Sequence, residues 1–465
     1  MKNTKHPPFG IKDKLGYLFG DFGNDFTFLL SSSFLMKFYT DIMGVSAGVV
    51  GTIMMIARLT DAFTDVAMGR ICDKSRHTEK GKFRPWILRM CGPVAISSFL
   101  MYQGSLAVLP YALKVTYLFV TYILWGSVFY TSINIPYGSM ASAISADPGD
   151  RQSLSTFRTI GGMLAGAIVT AGVPLIAFRK DEALGIDVID SSRFTLTAGV
   201  FSALAVICYL LCYFLTTERV KSAVSVEAQK NNNVFVMLKN AAKNRALISI
   251  IAASVVMLLA QLTMQQMANY VYPVTYGNAK MISLSTVLMV FGMAVAAFFS
   301  KPLARKYGKA ELSVISNLFA GITNLILYFL RPENVLVYIA FQAVTWVGLG
   351  IFAMVSWALI TDVIDYSEIR NGIREDGSVY ALYSFARKLG QAASSGVSGF
   401  LLTLIGYNTD NITPQIKNGI FDIATLVPAV GLILLALILW FWYPLKKKQV
   451  EENVRILKEK HEKNN

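Results

Sequence analysis

The sequence predicts an all-α polytopic membrane protein of about twelve transmembrane helices arranged as two six-helix bundles. Three observations carry that expectation. Only 15% of the 465 residues are charged and 54% are hydrophobic, whereas a soluble domain is typically about 25% charged. Apolar runs long enough to cross a bilayer, roughly 20 residues each, recur along the whole chain between short polar loops. The longest interior hydrophilic stretch, Thr217 to Asn244, divides those runs six and six, as expected for two related bundles joined by a central loop.

The runs fall near 15–39, 45–68, 86–108, 112–145, 154–178, 194–216, 245–273, 283–304, 312–330, 334–363, 379–405 and 420–443. This gives an N-terminal bundle over 1–216, a cytoplasmic central loop over 217–244, a C-terminal bundle over 245–443 and a cytoplasmic tail over 444–465. Orientation follows from where Lys and Arg collect. The loop after span two holds Arg70, Lys74, Arg76, Lys80, Lys82 and Arg84, and the central loop holds Arg219, Lys221, Lys230, Lys239 and Lys243. Arg305, Lys306 and Lys309 follow span eight, Arg370 and Arg374 follow span ten, and Lys446, Lys447 and Lys448 open the tail. The opposite loops are poor in basic residues, with Arg179 and Lys180 after span five as the exception. Both termini are therefore expected in the cytoplasm of a cell-membrane protein. The net charge of +14 is read as this loop asymmetry and not as a nucleic-acid surface. Residues 1–14 are polar and basic, and the run that follows is longer than a signal-peptide core, so no cleaved signal is expected.

Carboxylates inside the apolar runs are the strongest functional signal. Span two carries Asp61 and Asp65 at i and i+4, on one helix face, with Arg58 close to the same face. An ionised Asp at the centre of a membrane helix costs at least ~2.5–3.5 kcal/mol, so such residues mark ion or proton sites turned to protein interior or water. Span one repeats the spacing in Gly20-Asp21-Phe-Gly-Asn24-Asp25, with small residues at Gly16, Gly20 and Gly23. Asp25 is the deeper of that pair; Asp21 reads equally as functional or as solvated near the cytoplasmic interface. Span four carries Thr131 and Asn134-Ile-Pro136-Tyr137-Gly138. Pro136 removes a backbone bond, and a carboxamide beside it suits sugar hydroxyls. Arg158 in span five needs a partner or an interface to snorkel to. Gln261, Gln265, Gln266 and Asn269 form a polar stripe on span seven that serves as helix glue or as substrate contact. Lys388 lies about ten residues into span eleven, where Asp61 and Asp65 are its obvious partners. Asp362, Asp365 and Glu368 end span ten and are expected to cluster with Arg370 and Arg374.

Other classes are disfavoured. The histidines, His6, His77 and His461, lie in tails or loops, and no His–Glu metal motif, nucleophile elbow or phosphate loop is present. An enzyme and a bound cofactor are not expected. Cys72, Cys91, Cys208 and Cys212 show no disulfide or zinc spacing and read as packing thiols.

These stretches together resemble the glycoside–pentoside–hexuronide:cation symporters of the major facilitator superfamily, the family of the melibiose carrier. The matching residues are Gly20-Asp-Phe-Gly-Asn-Asp25-Phe, Tyr39-Thr-Asp41, Arg58-Leu-Thr-Asp61-Ala-Phe-Thr-Asp65, Gly81-Lys-Phe-Arg-Pro-Trp86, Asn134-Ile-Pro-Tyr-Gly138 and Asp362-Val-Ile-Asp-Tyr366. The resemblance covers nearly the whole chain in order. It implies a major facilitator fold, with Asp61, Asp65, Thr64 and Thr131 around a cation and Na⁺ at Asp61 and Asp65 as one alternative to H⁺. It implies Asp25, Asn24, Asn134, Tyr137 and Arg158 around a sugar, and Lys388 as a coupling residue. The melibiose carrier has Asp where this chain has Asn134, Trp where it has Gly138 and Asn where it has Thr64. The first two departures point away from α-galactosides and toward xyloside- or glucuronide-type carriers; the third makes proton coupling at least as plausible as Na⁺.

The expected function is cation-coupled import of a pentoside, glucuronide or oligosaccharide by a monomeric carrier whose partners are a small sugar, the cation and lipid. A major facilitator carrier of an amphiphile or drug is the alternative, and it would need an apolar, aromatic pocket.

Overall fold

The computed structural model describes residues 7–75, 77–220, 244–371 and 376–464. Arg76, Lys221, Lys230, Lys239, Lys243 and Arg374, counted above toward orientation, lie outside the described residues. All twelve apolar runs are helical. The helices are α1 (Ile11–Asp41), α2 (Ala47–Lys74), α3 (Arg84–Leu100), α4 (Tyr111–Ile123), α5 (Thr131–Ile144), α6 (Pro148–Ala177) and α7 (Ser191–Leu215). They continue as α8 (Arg245–Tyr270), α9 (Lys280–Tyr307), α10 (Lys309–Leu330), α11 (Val335–Asn371), α12 (Asp376–Leu404) and α13 (Pro414–Leu437), and α14 (Lys447–Asn464) forms the tail. A π-helical turn, Leu124–Tyr130, fuses α4 and α5 into one span.

Among the described residues nine helices are long and apolar enough to cross a membrane on length and composition alone, and α1, α3 and α12 are not among them. The reasons differ. α3 has 17 residues, about 25 Å at 1.5 Å per residue, and a 3₁₀ turn at Gly104–Val108 follows it. α1 and α12 carry the charged residues Asp21, Asp25, Lys37, Arg387 and Lys388 within their length, which a bundle interior tolerates and lipid does not. Large apolar side chains such as Phe63 (71% exposed) and Phe214 (70%) turn outward; in lipid this costs nothing, whereas in water it would invite aggregation.

The described residues form two compact units. The first comprises 7–220 with Tyr272–Ser283 and Gly399–Thr413. In it α1 packs chiefly on α6 and α7, and α3 on α7 and α5. The glycines of α1 are packing sites: a Cβ at Gly16 would meet Thr216, one at Gly20 would overlap the Tyr137 ring, and one at Gly23 would lie 2.8 Å from the Tyr209 ring. Between α6 and α7 runs a short antiparallel hairpin, β1 (Phe178–Asp181) with β2 (Ile186–Ile189), where a plain loop is expected from sequence. Asp187 Oδ2 accepts from Ala279 N at 2.6 Å, holding the segment before α9 within the same unit. Residues 399–413 are held by Thr403, whose Oγ1 accepts from Gly48 N at 2.7 Å, and by Tyr407. The Tyr407 hydroxyl accepts from Lys37 Nζ at 2.7 Å and donates to Asp41 Oδ1 at 2.9 Å. Lys37 and Asp41 form a buried i,i+4 ion pair at 2.7 Å.

The motif Gly81-Lys-Phe-Arg-Pro-Trp86 is explained at the start of α3. Glu218 accepts from the backbone N–H groups of Lys82, Phe83 and Arg84 at 2.7, 2.8 and 2.7 Å. A carboxylate here satisfies orphan donors and complements the helix dipole. Gly81 holds φ +105°, and a Cβ there would press on the Glu218 carboxylate.

The second unit comprises 244–271, Leu284–Ser398 and Pro414–Asn465, as far as described. Its core joins α8, α11, α12 and α13 through Ile250, Met257, Phe352, Leu359, Tyr383 and Leu435. A buried polar link crosses α10 and α11: Asn324 Nδ2 donates to Thr345 Oγ1 at 2.7 Å, and Gln342 Nε2 donates to Asn324 Oδ1 at 3.3 Å. On α8, Gln266 Nε2 lies 3.5 Å from Ser394 Oγ on α12, the glue role. Asp362 pairs with Lys309 of α10; Arg374, a member of the cluster expected at the end of α11, lies outside the described residues. Lys447 N donates to Glu311 Oε1 at 2.9 Å, docking α14.

Candidate functional site

The two carboxylates of α2 both meet the α4–α5 span. Asp61 Oδ1 accepts from Ser127 Oγ at 2.6 Å, and Asp61 Oδ2 lies 3.3 Å from Arg58 Nη1. Asp65 Oδ1 accepts from Thr131 Oγ1 at 2.8 Å, and the same hydroxyl lies 3.2 Å from the Gly126 carbonyl. Ser127 and Gly126 belong to the π-helical turn, a device often found where a helix is reshaped for function. Gly126 lets that backbone approach: a Cβ on it would stand 3.5 Å from Asp61 Oδ1. Arg58 is buried, its guanidinium 4.7 Å from the Phe28 ring centroid and 5.9 Å from those of Tyr122 and Trp125. The donor set is two carboxylates, two hydroxyls and a backbone carbonyl, all oxygen. Oxygen ligands suit a hard cation, and a carboxylate alone suffices for a proton.

A second group lies on α1, α5, α6 and α7. Arg158 Nε donates to Asp21 Oδ1 at 3.0 Å, and its guanidinium sits 5.2 Å from the Tyr137 ring centroid. Tyr137 stacks on Tyr17 at 4.6 Å and donates its hydroxyl proton to the Tyr17 carbonyl at 2.6 Å. Asn24 accepts from the Tyr209 hydroxyl at 3.0 Å and donates through Nδ2 to Asn134 Oδ1 at 3.3 Å. Gly162 of α6 makes room for both carboxylates of α1: a Cβ on it would stand 2.8 Å from Asp25 Oδ2 and 2.9 Å from Asp21 Oδ2. Asp25, Asn134 and Arg158 are each only partly buried. Among the described residues no side chain donates a hydrogen bond to Asp25 and none takes the Nδ2 donors of Asn134, while Arg158 also reaches the Tyr17 hydroxyl.

Sequence reasoning put Asp61, Asp65 and Arg58 on one face of span two and the resemblance added Thr131 of span four; the structure places Arg58 against Asp61 and Thr131 against Asp65. The structure also joins Asn24, Asn134, Tyr137, Arg158 and Asp25 into one neighbourhood. Thr64 stands apart: its hydroxyl donates to the Asp61 carbonyl of its own helix at 3.3 Å. Lys388 lies on α12 in the second unit, partly buried. One residue was passed over and one left open. Asp21, left open between solvated and functional, is the partner of Arg158. Ser127 carried a sequence signal, since it precedes Thr131 by four and so shares its helix face.

A family model described as "MFS/sugar transport protein" matches residues 16–447. The chain belongs to this family. Like it, the chain is a multi-pass membrane transporter of the major facilitator superfamily. The glucuronide carrier protein homolog of Escherichia coli K12 is 32% identical over 446 residues, covering 95% of this chain and 94% of that protein. The isoprimeverose transporter of Lactiplantibacillus pentosus is 29% identical, covering 92% and 88%. Among solved structures, the nucleoside transporter NupG shares a TM-score of 0.67 at 14% identity, covering 94% of this chain and all of that one (100%). A D-xylose–proton symporter gives 0.64 at 16%, covering 93% and 97%. At such identities the structures speak for the major facilitator fold alone.

Proposed function

We propose that this family member is a cation-coupled symporter that imports a glycoside by alternating access, with H⁺ or Na⁺ as the coupling ion. The observation that carries the reading is the set of unengaged polar groups on the first unit. Asp25 offers acceptors, and Asn134 and Arg158 offer donors, beside the stacked Tyr17 and Tyr137 rings. Hydroxyl groups that both donate and accept complement such a set. An amphiphile would leave these groups desolvated and unpaired, at a cost of roughly 1–3 kcal/mol for each.

Asp61 and Asp65, with Thr131, are the cation site in this reading, and Thr64 belongs to its helix. Asn24 and Tyr137 position the sugar groups. Cation arrival at Asp61 and Asp65 favours the sugar-bound state, since a ligand shifts an equilibrium only by its differential affinity. Lys388 keeps a coupling role. The chain works as a monomer without a cofactor, in the cell membrane, with residues 1–216 and 245–443 as the two bundles, 217–244 as the cytoplasmic loop and both termini cytoplasmic. The relatives named for glucuronide, isoprimeverose and sulfoquinovose support a glycoside as the substrate class.

The test is uptake of a labelled xyloside, glucoside, galactoside and glucuronide into cells expressing the chain, with and without Na⁺ and a protonophore. Accumulation that collapses with protonophore whatever the Na⁺ establishes proton symport. Accumulation that requires Na⁺ establishes Na⁺ symport. Failure to accumulate any of them overturns the glycoside reading.

A further inference from the structure

Two stretches that belong by sequence to the C-terminal run of helices are held on the first unit: Tyr272–Ser283, between α8 and the start of α9, and Gly399–Thr413, between the end of α12 and α13. The first is tied by Asp187, which accepts from Ala279 N at 2.6 Å, and by Ser283 Oγ, which donates to the Ala171 carbonyl at 2.6 Å. The second meets the start of α2 at close range. A Cβ on Gly399 would overlap the Ala47 carbonyl, and one on Gly48 would stand 3.6 Å from Thr403 Cβ. Its polar centre is Tyr407. The hydroxyl stands between two charged residues at the end of α1, accepting from Lys37 Nζ and donating to Asp41 Oδ1, and the Lys37 ammonium lies 5.2 Å from the Tyr407 ring centroid. The Lys37 and Asp41 side chains are 1% and 2% exposed. A buried ion pair offsets its lost hydration only when further hydrogen bonds complete it, and Tyr407 gives one to each member.

We propose that Tyr407 and the Lys37–Asp41 pair form a latch at the outer end of the carrier, and that sugar enters from outside only when the latch is released. This rests on the symporter reading, in which the two bundles rock and a loop of one cannot stay fastened to the other while the outer face opens. The chemistry gives the contact two stable arrangements. Fastened, the pair is dry and Tyr407 completes its hydrogen bonds. Released, water solvates Lys37, Asp41 and the Tyr407 hydroxyl, so opening trades protein hydrogen bonds for hydration and leaves no polar group unpaired. The Tyr407 hydroxyl biases that balance toward closure, while its ring contributes packing alone.

Two measurements on the full-length chain test it. In the first, Ala47→Cys, at a position 3% exposed beside Gly399, is labelled in intact cells with a membrane-impermeant maleimide; the four native cysteines are buried. Adding Tyr407→Phe, which keeps the ring and removes the hydroxyl, is expected to raise the labelling rate about tenfold. An unchanged or lower rate overturns the latch, and this readout needs no sugar. In the second, a carrier with both Gly48→Cys and Thr403→Cys is oxidised, since a Cβ separation of 3.6 Å lies within the disulfide range. Uptake of the labelled glycosides is expected to fall by about tenfold or more on oxidation and to return with reductant. Full uptake by the crosslinked carrier overturns the inference and leaves the symporter reading standing. Faster labelling with Tyr407→Phe in a chain that accumulates no glycoside overturns the symporter reading and supports the latch as a gate for another solute. If the double cysteine variant does not fold, the labelling rate decides.

Discussion

Arg158 shows how much one side chain can hold. Its guanidinium uses Nε for Asp21, reaches the Tyr17 hydroxyl and lies near the Tyr137 ring, so the plane is set and further N–H donors remain. Lys has one point charge and no fork. Arg158→Lys is therefore expected to raise the KM for uptake about tenfold or more, with a smaller change in maximal rate; an unchanged KM in transport assays would count against Arg158 as a sugar contact. At the cation site, Asp65→Cys removes a carboxylate that nothing else replaces and is expected to abolish uphill accumulation, measured as the internal-to-external sugar ratio. Ser127→Ala removes the hydroxyl that Asp61 accepts from. A hydrogen bond to a charged group is worth roughly 1.5–3 kcal/mol, so apparent cation affinity is expected to change by about tenfold or more in a cation-titrated uptake assay.

At the scale of elements, the reading of spans was secure because length and apolarity are local properties. α2 declares its two carboxylates in sequence because i and i+4 share a face whatever the helix packs on. The partner of each is another matter. Asp21 and Arg158 are 137 residues apart, and only the packing of α1 on α6 brings them together. The same holds for Glu218, which looks like an unremarkable loop residue beside its neighbours yet closes the start of α3. Glu218→Gln keeps one acceptor and loses the charge. It is expected to cost about 1–2 kcal/mol of stability, seen as a lower melting temperature of the purified carrier, with sugar affinity in the folded fraction unchanged. Gly23→Leu, by contrast, drives a side chain into the Tyr209 ring and is expected to prevent stable expression.

For the whole molecule, the family and the fold agree on a twelve-helix transporter with two bundles, and the loop charges predict its orientation. A phosphatase reporter, active only outside the cytoplasm, fused after Asn465 is expected to be inactive. When fused within the β1–β2 hairpin it is expected to be active; the reverse pattern would overturn the orientation. Among the described residues the short hairpin is the one sheet that departs from an all-helical reading. Its strands are four residues each, too short for alternation to stand out in sequence.

The sequence by itself determined that this is a helical multi-pass membrane protein, the order of its helices and the positions of its embedded charges. Each of these depends on residues near one another along the chain. Only the tertiary structure decided which charges cancel. Arg58 pairs with Asp61, Lys37 with Asp41 and Arg158 with Asp21, while among the described residues no side chain donates to Asp25. Ion pairing inside a bundle is set by distances of a few ångströms between helices, and no local pattern in the chain encodes those distances.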